Sequence, residues 1–356
     1  MRQKIVFFHL LNNYTGSPQI LSSVISTAIG QNFDVKLYTS KTEGFLSGFK
    51  RNNNFYSRSE HRILTLFSFF FSQFLLSVKL LFVTKKEEKI FYVNTILPFG
   101  AILMGRLLGK RVITHVHEYE ISPKPLSNFL FWVVRTFSSE VIVVSEFLQS
   151  MPKLKGAQVK VIYNCVTMDF EKMSMGFEKD STAVFEVLML ASLRPYKGLS
   201  EFIELARLVP NASFTLVLSD EKNEVDNFIT KESLPTNIQV YPVTKDVHSF
   251  YGKASLILNL AHPDKWIETF GMTVLEGMYY ELPAIVPTIG GITELVEPGV
   301  NGFQVNYDEL QTIAELIMKM QNQPEFWKQL SKGSLTKRSY FSRDVFGSKI
   351  AKLLHQ

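Results

Sequence analysis

Short apolar runs rich in β-branched and aromatic residues alternate with helical patterns along the chain, and this alternation constrains the fold more than any other feature. In the first half, the runs that predict strands are 4–10, 34–40, 89–95, 111–117, 140–146 and 159–164. The pattern restarts after a polar stretch near 168–181, with predicted strands at 185–193, 213–220, 237–245, 254–261 and 282–288. Strands separated by helices favour a parallel sheet covered on both faces. The sequence therefore predicts an α/β fold with two successive doubly wound, Rossmann-like domains.

The restart of the pattern also predicts the domain boundaries. We expect one domain over residues 1–166, a linker over 167–183 and a second domain over 184–341 of the 356 residues. Ligands of doubly wound sheets bind beyond the carboxyl ends of the strands. The expected site therefore lies in a cleft between the two domains.

Cysteine and metal-ligand usage excludes several classes of protein. The single cysteine, Cys165, cannot form an internal disulfide, which indicates a reducing, cytoplasmic compartment. No Cys/His cluster has metal-ligand spacing and no Asp-x-Asp motif occurs, so we expect no metal site. The short apolar run after Met1 is typical of a first strand rather than of a signal peptide.

Charge is distributed unevenly over the two halves of the chain. Residues 1–166 carry 20 Lys and Arg against 9 Asp and Glu, a net charge of +11, whereas the remainder carries −6. Such asymmetry indicates that the first half faces an anionic partner, either nucleic acid or an acidic membrane surface. No nucleic-acid-binding motif is recognisable, and the aromatic residues fall inside apolar runs rather than between basic residues. We therefore expect no nucleic acid and favour an anionic membrane surface.

The run 63–83 is apolar and long enough to span a bilayer. We reject a transmembrane span, because strands are predicted on both sides of the run and a span would divide their sheet. Polar residues at helical spacing form one narrow stripe: Thr65, Ser68, Ser72 and Lys79. One alternative is a helix buried in the core. The other is a helix whose apolar face touches the membrane, with cations that meet anionic headgroups, namely Arg62, Lys79, Lys85 and Lys86.

Two carboxylates enclose a predicted helix start at residues 266–302. Glu268 lies just before the helix and Glu276 lies within it. The first amides of a helix lack internal partners and attract anions, and carboxylates accept hydrogen bonds from hydroxyls. A site with both features suits a nucleotide-sugar.

This segment resembles the Glu-x7-Glu signature of the retaining glycosyltransferases of family four, which have the GT-B fold and include bacterial surface-polysaccharide enzymes. The positions that match are Glu268, Phe270, Gly271, Glu276, Pro283, Gly290, Gly291, Glu294, Gly299, Asn301 and Gly302. The resemblance implies two facing Rossmann-like domains, with the nucleotide-sugar bound by the second. It also implies that a final helix, 342–356, packs back on the first domain.

The loop that follows the first strand of the second domain carries further basic residues. Lys197 is placed to reach a diphosphate, and Arg194 could clamp it. The family usually has an arginine where Ser192 stands here. Either Arg194 replaces that arginine from a shifted position, or Lys197 and backbone amides hold the diphosphate.

The first half of the chain matches the family at fewer positions. Gly16 stands where the family carries a glycine pair that closes over the donor phosphate, and a nicotinamide-binding fingerprint would need three spaced glycines. Alternation places His115 and His117 on one face of a buried strand, with His117 nearer its carboxyl end. The resemblance implies that His117 contacts the donor sugar near the reacting carbon. Near the linker only Asn164 and Val166 match the family pattern.

By resemblance, the reaction is a metal-independent transfer of a sugar from a UDP- or GDP-sugar to an acceptor hydroxyl, without a further cofactor. His117, Glu268 and Lys197 are the expected catalytic residues. The expected donor-binding residues are Gly16, Arg194, Lys197, Phe270, Gly271, Met272 and Glu276. The expected acceptor is a glycan on a lipid carrier, at the inner face of the plasma membrane. The alternatives are an epimerase-like GT-B enzyme and a catalytically silent protein that binds sugar nucleotides or membranes.

Overall fold

The structure, a computed structural model, describes residues 3–56, 61–176, 184–244 and 246–356, without the side chain of Arg62. The chain divides into two units. The first comprises Met1–Thr167 and Arg343–Gln356, and the second comprises Met168–Ser342. The predicted final helix is thus counted with the first unit. Residues 177–183 of the predicted linker lie outside the described residues.

Each unit is built on a parallel sheet. In the described part of the first unit the strands are β1 Lys4–Phe8, β2 Asp34–Thr39, β3 Arg51–Asn53, β4 Glu88–Asn94, β5 Arg111–Val116, β6 Glu140–Val143 and β7 Val159–Val161. In the second they are β8 Glu186–Ala191, β9 Ser213–Leu218, β10 Ile238–Tyr241, β11 Leu256–Leu258, β12 Ala284–Val286 and β13 Gly302–Gln304. The strand orders are β3-β2-β1-β4-β5-β6-β7 and β10-β9-β8-β11-β12-β13. The predicted pair of doubly wound units is confirmed.

Helices connect the strands in both units. They are α1 Gly16–Gly30, α2 Arg62–Val83, α3 Phe99–Leu107, α4 Lys124–Phe137, α5 Glu146–Gln149, α6 Met168–Ser174, α7 Leu199–Leu208, α8 Lys222–Lys231, α9 His248–Lys253, α10 Met272–Met278, α11 Leu310–Asn322, α12 Pro324–Arg338 and α13 Arg343–His355. Helix α13 packs on α1, and Arg111 donates to the carbonyl of Leu353 at 2.8 Å. The last helix of the chain is thereby tied to the first sheet.

Three local predictions differ from the structure. The strand predicted at 140–146 ends at Val143, because the Ser145 hydroxyl accepts from the Leu148 amide at 3.3 Å and begins α5. Strands β3 and β13 were not predicted. Residues 168–174, assigned to the linker from their polarity, form α6 instead. Its Phe170 packs on His248 with ring centroids 4.6 Å apart. This buried aromatic side chain anchors an otherwise polar helix.

Helix α2 turns only a narrow side inward, on which buried apolar residues (Phe69, Leu76 and Leu80) alternate with polar ones. Its inward face includes Ser72 and Gln73, which are buried, while most of its aromatic side chains are exposed. The Gln73 side chain accepts from the Gly100 amide at 3.2 Å, and a Cβ at Gly100 would lie 2.8 Å from the Gln73 carbonyl. This close approach of α3 explains why polar residues face inward. The buried-core alternative for 63–83 is therefore wrong.

Length and composition would still let α2 cross a membrane. Among the described residues, Ile63–Val83 is the one helical segment that is long and apolar enough, and 28% of its 18-residue apolar window is buried. Strands β3 and β4 precede and follow it in the same sheet. One such helix is weak evidence for a span.

Candidate functional site

The second sheet reverses its winding direction between β8 and β11. Strand β9 lies on one side of β8 and β11 lies on the other, so the loops after β8 and β11 diverge at this point. Open parallel sheets bind ligands at such switch points. Lys197 follows β8 and Glu268 follows β11, and their side chains form an ion pair. The strand order thus brings together two predicted site residues that are 71 positions apart.

The loop after β8 is held by a glycine. Residues Pro195–Lys197 form a 3-10 turn, which ends at Gly198 with a φ of +78°. A Cβ at Gly198 would lie 2.4 Å from the Leu260 carbonyl oxygen, so only glycine lets the two loops approach this closely. The Tyr196 carbonyl accepts from the His262 amide at 2.9 Å. The position of Lys197 is therefore set by the backbone of both loops.

The Lys197 ammonium group lies in an aromatic and anionic environment. It pairs with Glu268 and lies 5.0 Å from the centroid of Trp266, whose ring stacks on Tyr196 at 5.5 Å. Both charged side chains are less than one-fifth exposed. An ammonium has three donors, so Lys197 can hold Glu268 and still donate to a phosphate oxygen. Glu268 in turn can accept from sugar hydroxyls.

Glu276 is oriented by a buried tyrosine. The Tyr251 hydroxyl donates to the Glu276 carboxylate at 2.8 Å and also lies 3.3 Å from the Thr273 carbonyl. Burial and the neighbouring Glu276 charge raise the pKa of Tyr251 well above 10, so this phenol remains a donor. Tyr280 stacks on Tyr251 with ring centroids 5.5 Å apart. No sequence pattern pointed to Tyr251, which is 25 positions from Glu276.

Two motif glycines shape the backbone around Glu268. Gly271 has a φ of +99° and precedes α10, and a Cβ there would lie 2.6 Å from the Ile292 side chain. Gly290 has a φ of +119°, and a Cβ there would lie 2.6 Å from the Glu268 carbonyl oxygen. Gly271 and Gly290 therefore let the turn at Gly291–Leu295 pack directly on the loop that carries Glu268.

The remaining predicted residues of the second unit have distinct surroundings. Phe270 is buried and its ring lies 5.9 Å from that of Phe341, while Met272 begins α10 and is partly exposed. Arg194 is exposed, and its backbone amide donates to the Ser192 carbonyl at 2.7 Å. The structure thus places Arg194 on the same turn as Lys197 and leaves its guanidinium in solvent.

The first sheet has its own switch point, between β1 and β4. His9 follows β1, Asn94 ends β4, and His117 follows β5. The Asn94 side chain bonds His117 at 2.9 Å, His9 at 3.1 Å and the Ser17 carbonyl at 3.0 Å. The rings of His115 and His117 are 4.3 Å apart, which confirms the prediction that they share a face. His9 and Asn94 were not predicted as site residues, although both lie at the carboxyl ends of strands, where ligands of parallel sheets bind.

Burial keeps these histidines neutral. It lowers the pKa of His9 to about 4 and that of His115 to about 3. The pKa of His117 is also lowered well below 6.5, through burial and the nearby His115 and His9. His115 bonds the Tyr92 hydroxyl at 2.9 Å through Nδ1. The cluster can therefore exchange hydrogen bonds at neutral pH but carries no positive charge.

Glu118 lies beside this cluster. Burial raises the pKa of its carboxyl to about 7, against hydrogen bonds from the His117 amide at 3.1 Å and the Ile96 amide at 3.4 Å. A carboxyl with such a pKa is half protonated near neutrality.

Gly16 begins α1, after a loop tied down by Asn12. The Asn12 side chain donates to the Thr42 carbonyl at 2.7 Å and accepts from the Leu46 amide at 3.0 Å. Thr15 is the N-cap residue but its side chain bonds Asn13 at 2.6 Å rather than the helix. The loop before Gly16 is therefore ordered by side chains of this unit. Among the described residues, no group of three His, Cys, Asp or Glu could hold a metal ion.

Comparisons with known proteins agree with this geometry. Residues 177–335 match the family model described as Glycosyl transferases group 1. The chain is 25% identical over 260 residues to an uncharacterized glycosyltransferase of Methanocaldococcus jannaschii, over 70% of this chain and 69% of that protein. It is 21% identical over 168 residues to an uncharacterized 41.2 kDa protein in the cps region of Klebsiella pneumoniae, over 45% of each chain. The chain thus spans less than half of that second relative.

Among solved structures, HepE of Anabaena in complex with UDP-glucose superimposes with a TM-score of 0.76 at 20% identity, over 99% of both chains. At this identity the likeness shows the fold. The two parallel-sheet units therefore define a protein of the GT-B class. The match of residues 177–335 to the glycosyl transferases group 1 model agrees with the family resemblance carried by residues 266–302.

Proposed function

We propose that the protein transfers a sugar from a nucleotide-diphosphate sugar to an acceptor hydroxyl, with retention at the anomeric carbon and without a metal ion. The observation that carries the proposal is the Lys197–Glu268 pair at the switch point of a glycosyl transferases group 1 domain. A cation and a hydroxyl acceptor side by side match the two parts of the donor, its diphosphate and its sugar.

The charges that develop in such a reaction match the residues of the second unit. Negative charge grows on the departing diphosphate, which Lys197 would stabilise, together with Arg194 and the amides around Phe270, Gly271 and Met272. A preorganised donor of this kind contributes about 3–4 kcal/mol to lowering the barrier. Glu268 would hold the sugar hydroxyls and Glu276 the ribose hydroxyls.

In the proposed step the bond from the anomeric carbon to the diphosphate oxygen breaks. The acceptor oxygen bonds the same face of that carbon, and the acceptor proton passes to the departing phosphate. No protein nucleophile is required. His117, neutral and bonded to Asn94, would contact the donor sugar through a hydrogen bond. Gly16, at the start of α1, would let the backbone approach the donor phosphate.

We propose a UDP-sugar as the first donor to test, with a GDP-sugar as the alternative. The support is that HepE, a structural neighbour, was solved with UDP and with UDP-glucose. We further propose a lipid-linked glycan as the acceptor in polysaccharide biosynthesis, at the cytoplasmic face of the plasma membrane. The support is the net charge of +11 on residues 1–166. Full activity on a water-soluble acceptor, without membrane association, would contradict this acceptor.

A thermal-shift panel tests the donor site. UDP-, GDP-, ADP- and TDP-sugars are added in the presence of EDTA to the wild type, Glu276→Ala and Glu315→Ala. Glu315 is an exposed glutamate on α11 and serves as the matched control. A ligand at a hundred times its Kd stabilises the folded protein by about 2.7 kcal/mol. We expect one nucleotide to stabilise the wild type and the control but not Glu276→Ala. No shift with any nucleotide on folded protein would contradict the proposal.

A further inference from the structure

The exposed side of α2 is an apolar face of unusual size for a water-facing helix. Its outermost aromatic side chains are Phe67, Phe74 and Phe82, which are 71%, 62% and 83% exposed. Together with Ile63, Phe70, Phe71 and Val78 they recur at three- to four-residue spacing, and so lie on one side of the helix. A helix of this length carries that face over about 33 Å. We call this surface the phenylalanine face.

The phenylalanine face continues onto the neighbouring helices. Phe70 contacts Phe99 of α3 with ring centroids 5.9 Å apart, and Phe99 contacts Phe129 of α4 at 5.3 Å. Phe129 lies 6.1 Å from Trp132, which is exposed. Phe99 itself is buried, so its ring joins the exposed apolar residues of α2 and α4 from beneath the surface. Exposed apolar patches of this size mark interaction sites.

The charges on these three helices all have one sign. The sequences of α2, α3 and α4 contain no aspartate or glutamate, whereas their basic residues are Arg62, Lys79, Arg106, Lys124 and Arg135. The side chains of Arg106, Lys124 and Arg135 are exposed, while Lys79 donates to the Asn53 carbonyl at 3.3 Å. Soluble surfaces normally mix both signs. An apolar surface with only positive charges complements an anionic lipid bilayer.

We propose that the phenylalanine face, with Trp132 and the exposed cations of α3 and α4, docks on an anionic membrane surface. The aromatic side chains enter the boundary between headgroups and acyl chains, and Arg106, Lys124 and Arg135 contact the phosphates. Helix α2 lies along the bilayer rather than across it, because Ser72, Gln73 and Leu76 on its opposite side are buried in the first unit. A second copy of the chain fits this surface less well, since a two-fold contact would place cations against cations.

Vesicle binding tests this surface without any donor or acceptor, so its outcome does not depend on the transferase activity. The full-length protein is mixed with phosphatidylcholine vesicles with and without phosphatidylglycerol, and the bound fraction is measured by co-sedimentation. We expect binding to the anionic vesicles. Replacement of Phe67, Phe74 and Phe82 by serine should weaken it about tenfold or more. In the matched control, serine replaces three exposed apolar residues outside α2, α3 and α4, namely Ile29, Met175 and Val243. This control should bind vesicles like the wild type.

A charge variant separates the electrostatic contribution to vesicle binding from the contribution of the aromatic side chains. Replacement of Arg106, Lys124 and Arg135 by glutamine should weaken binding to anionic vesicles by about tenfold or more and reduce its salt dependence. If the triple serine variant does not fold, Phe82→Ser alone tests the most exposed aromatic position. Equal vesicle binding by the wild type and the folded serine variants would overturn the proposal. A dimer that the serine variants dissolve, without vesicle binding by the wild type, would overturn it in favour of a second copy of this chain.

Discussion

The two switch points of this protein solve the same topological problem with opposite electrostatics. In the second unit, Lys197 and Glu268 are charged, paired and partly open to solvent. In the first unit, burial holds His9, His115 and His117 neutral around Asn94. A strand-end site can thus offer fixed charge to an anionic ligand or neutral hydrogen-bonding groups to an uncharged one. The charged site of the second unit suits a diphosphate, and the neutral site of the first unit suits a sugar.

The largest expected effect concerns the backbone of the second unit. Gly302 has a φ of +154°, and a Cβ there would lie 1.9 Å from the Ala284 carbonyl oxygen. We expect Gly302→Ala to lower the free energy of unfolding by about 3–5 kcal/mol, measured by urea denaturation. Gly299 has a φ of +77° but open space around it, so Gly299→Ala should cost about 1 kcal/mol. Equal losses in the two variants would show that close packing is not the cause.

The next effect concerns the charged pair. Lys197→Ala should lower kcat by about 10²–10³-fold, because the cation that stabilises the departing diphosphate is lost. Lys319→Ala, which removes a cation of α11 that lies over the Phe326 ring of α12, should leave kcat unchanged. The rate of nucleotide release from the selected donor sugar measures both. A Lys197→Ala variant with normal kcat would remove the charged site from the mechanism.

The neutral site leads to a prediction about how the stability of the protein depends on pH. The pKa of Glu118 is raised to about 7 in the folded protein, from its ordinary value of 4.5. Its protonated form is favoured by folding, so its contribution is full below pH 4.5 and is lost as the pH rises through 7. Glu118→Gln should therefore raise stability by about 1–3 kcal/mol at pH 8 relative to its effect at pH 5. Urea denaturation at the two pH values gives this difference, and an effect independent of pH would contradict the burial of the charge.

His9 and His115 act in the opposite direction. Their folded pKa values of about 4 and about 3 lie below 6.5, so their contribution is present above pH 6.5 and is lost as the pH falls. The Glu118→Gln variant should consequently lose stability below pH 6.5 more steeply than the wild type, because the opposing carboxyl group is absent.

The smallest expected effect concerns Arg194. Its guanidinium is exposed, so a contact with the donor would be screened by solvent. Arg194→Ala should raise KM for the donor by about three- to tenfold with little change in kcat. A loss as large as that of Lys197→Ala would mean that Arg194 fully replaces the family arginine missing at Ser192.

The sequence predicted the second unit better than the first for a physical reason. Gly198, Gly271, Gly290 and Gly302 are required by positive φ angles and close backbone contacts, and such requirements leave a fixed spacing in the chain. The neutrality of His9 and His115 comes from burial by distant elements, which has no local pattern. Tyr251 was missed for the same reason.

Helix α2 shows a second limit. Its periodicity predicted one polar and one apolar side but could not say which side faces the sheet. In the structure the contact of Gln73 with Gly100 buries the side that carries Ser72 and Gln73, together with Phe69, Leu76 and Leu80. Short strands such as β13 could not be predicted from the sequence either, because only the pairing with β12 defines this strand.

Calorimetric titration with UDP and with UDP-glucose, in EDTA, tests the central claim most directly. Glu276→Ala should weaken both ligands equally by about ten- to a hundredfold, because a hydrogen-bond partner of the ribose is lost. Glu268→Gln should weaken UDP-glucose more than UDP, since Glu268 is assigned to the sugar, and Glu315→Ala should change neither. If neither glutamate variant altered the affinity for either ligand, the second unit would not hold the donor in the way proposed.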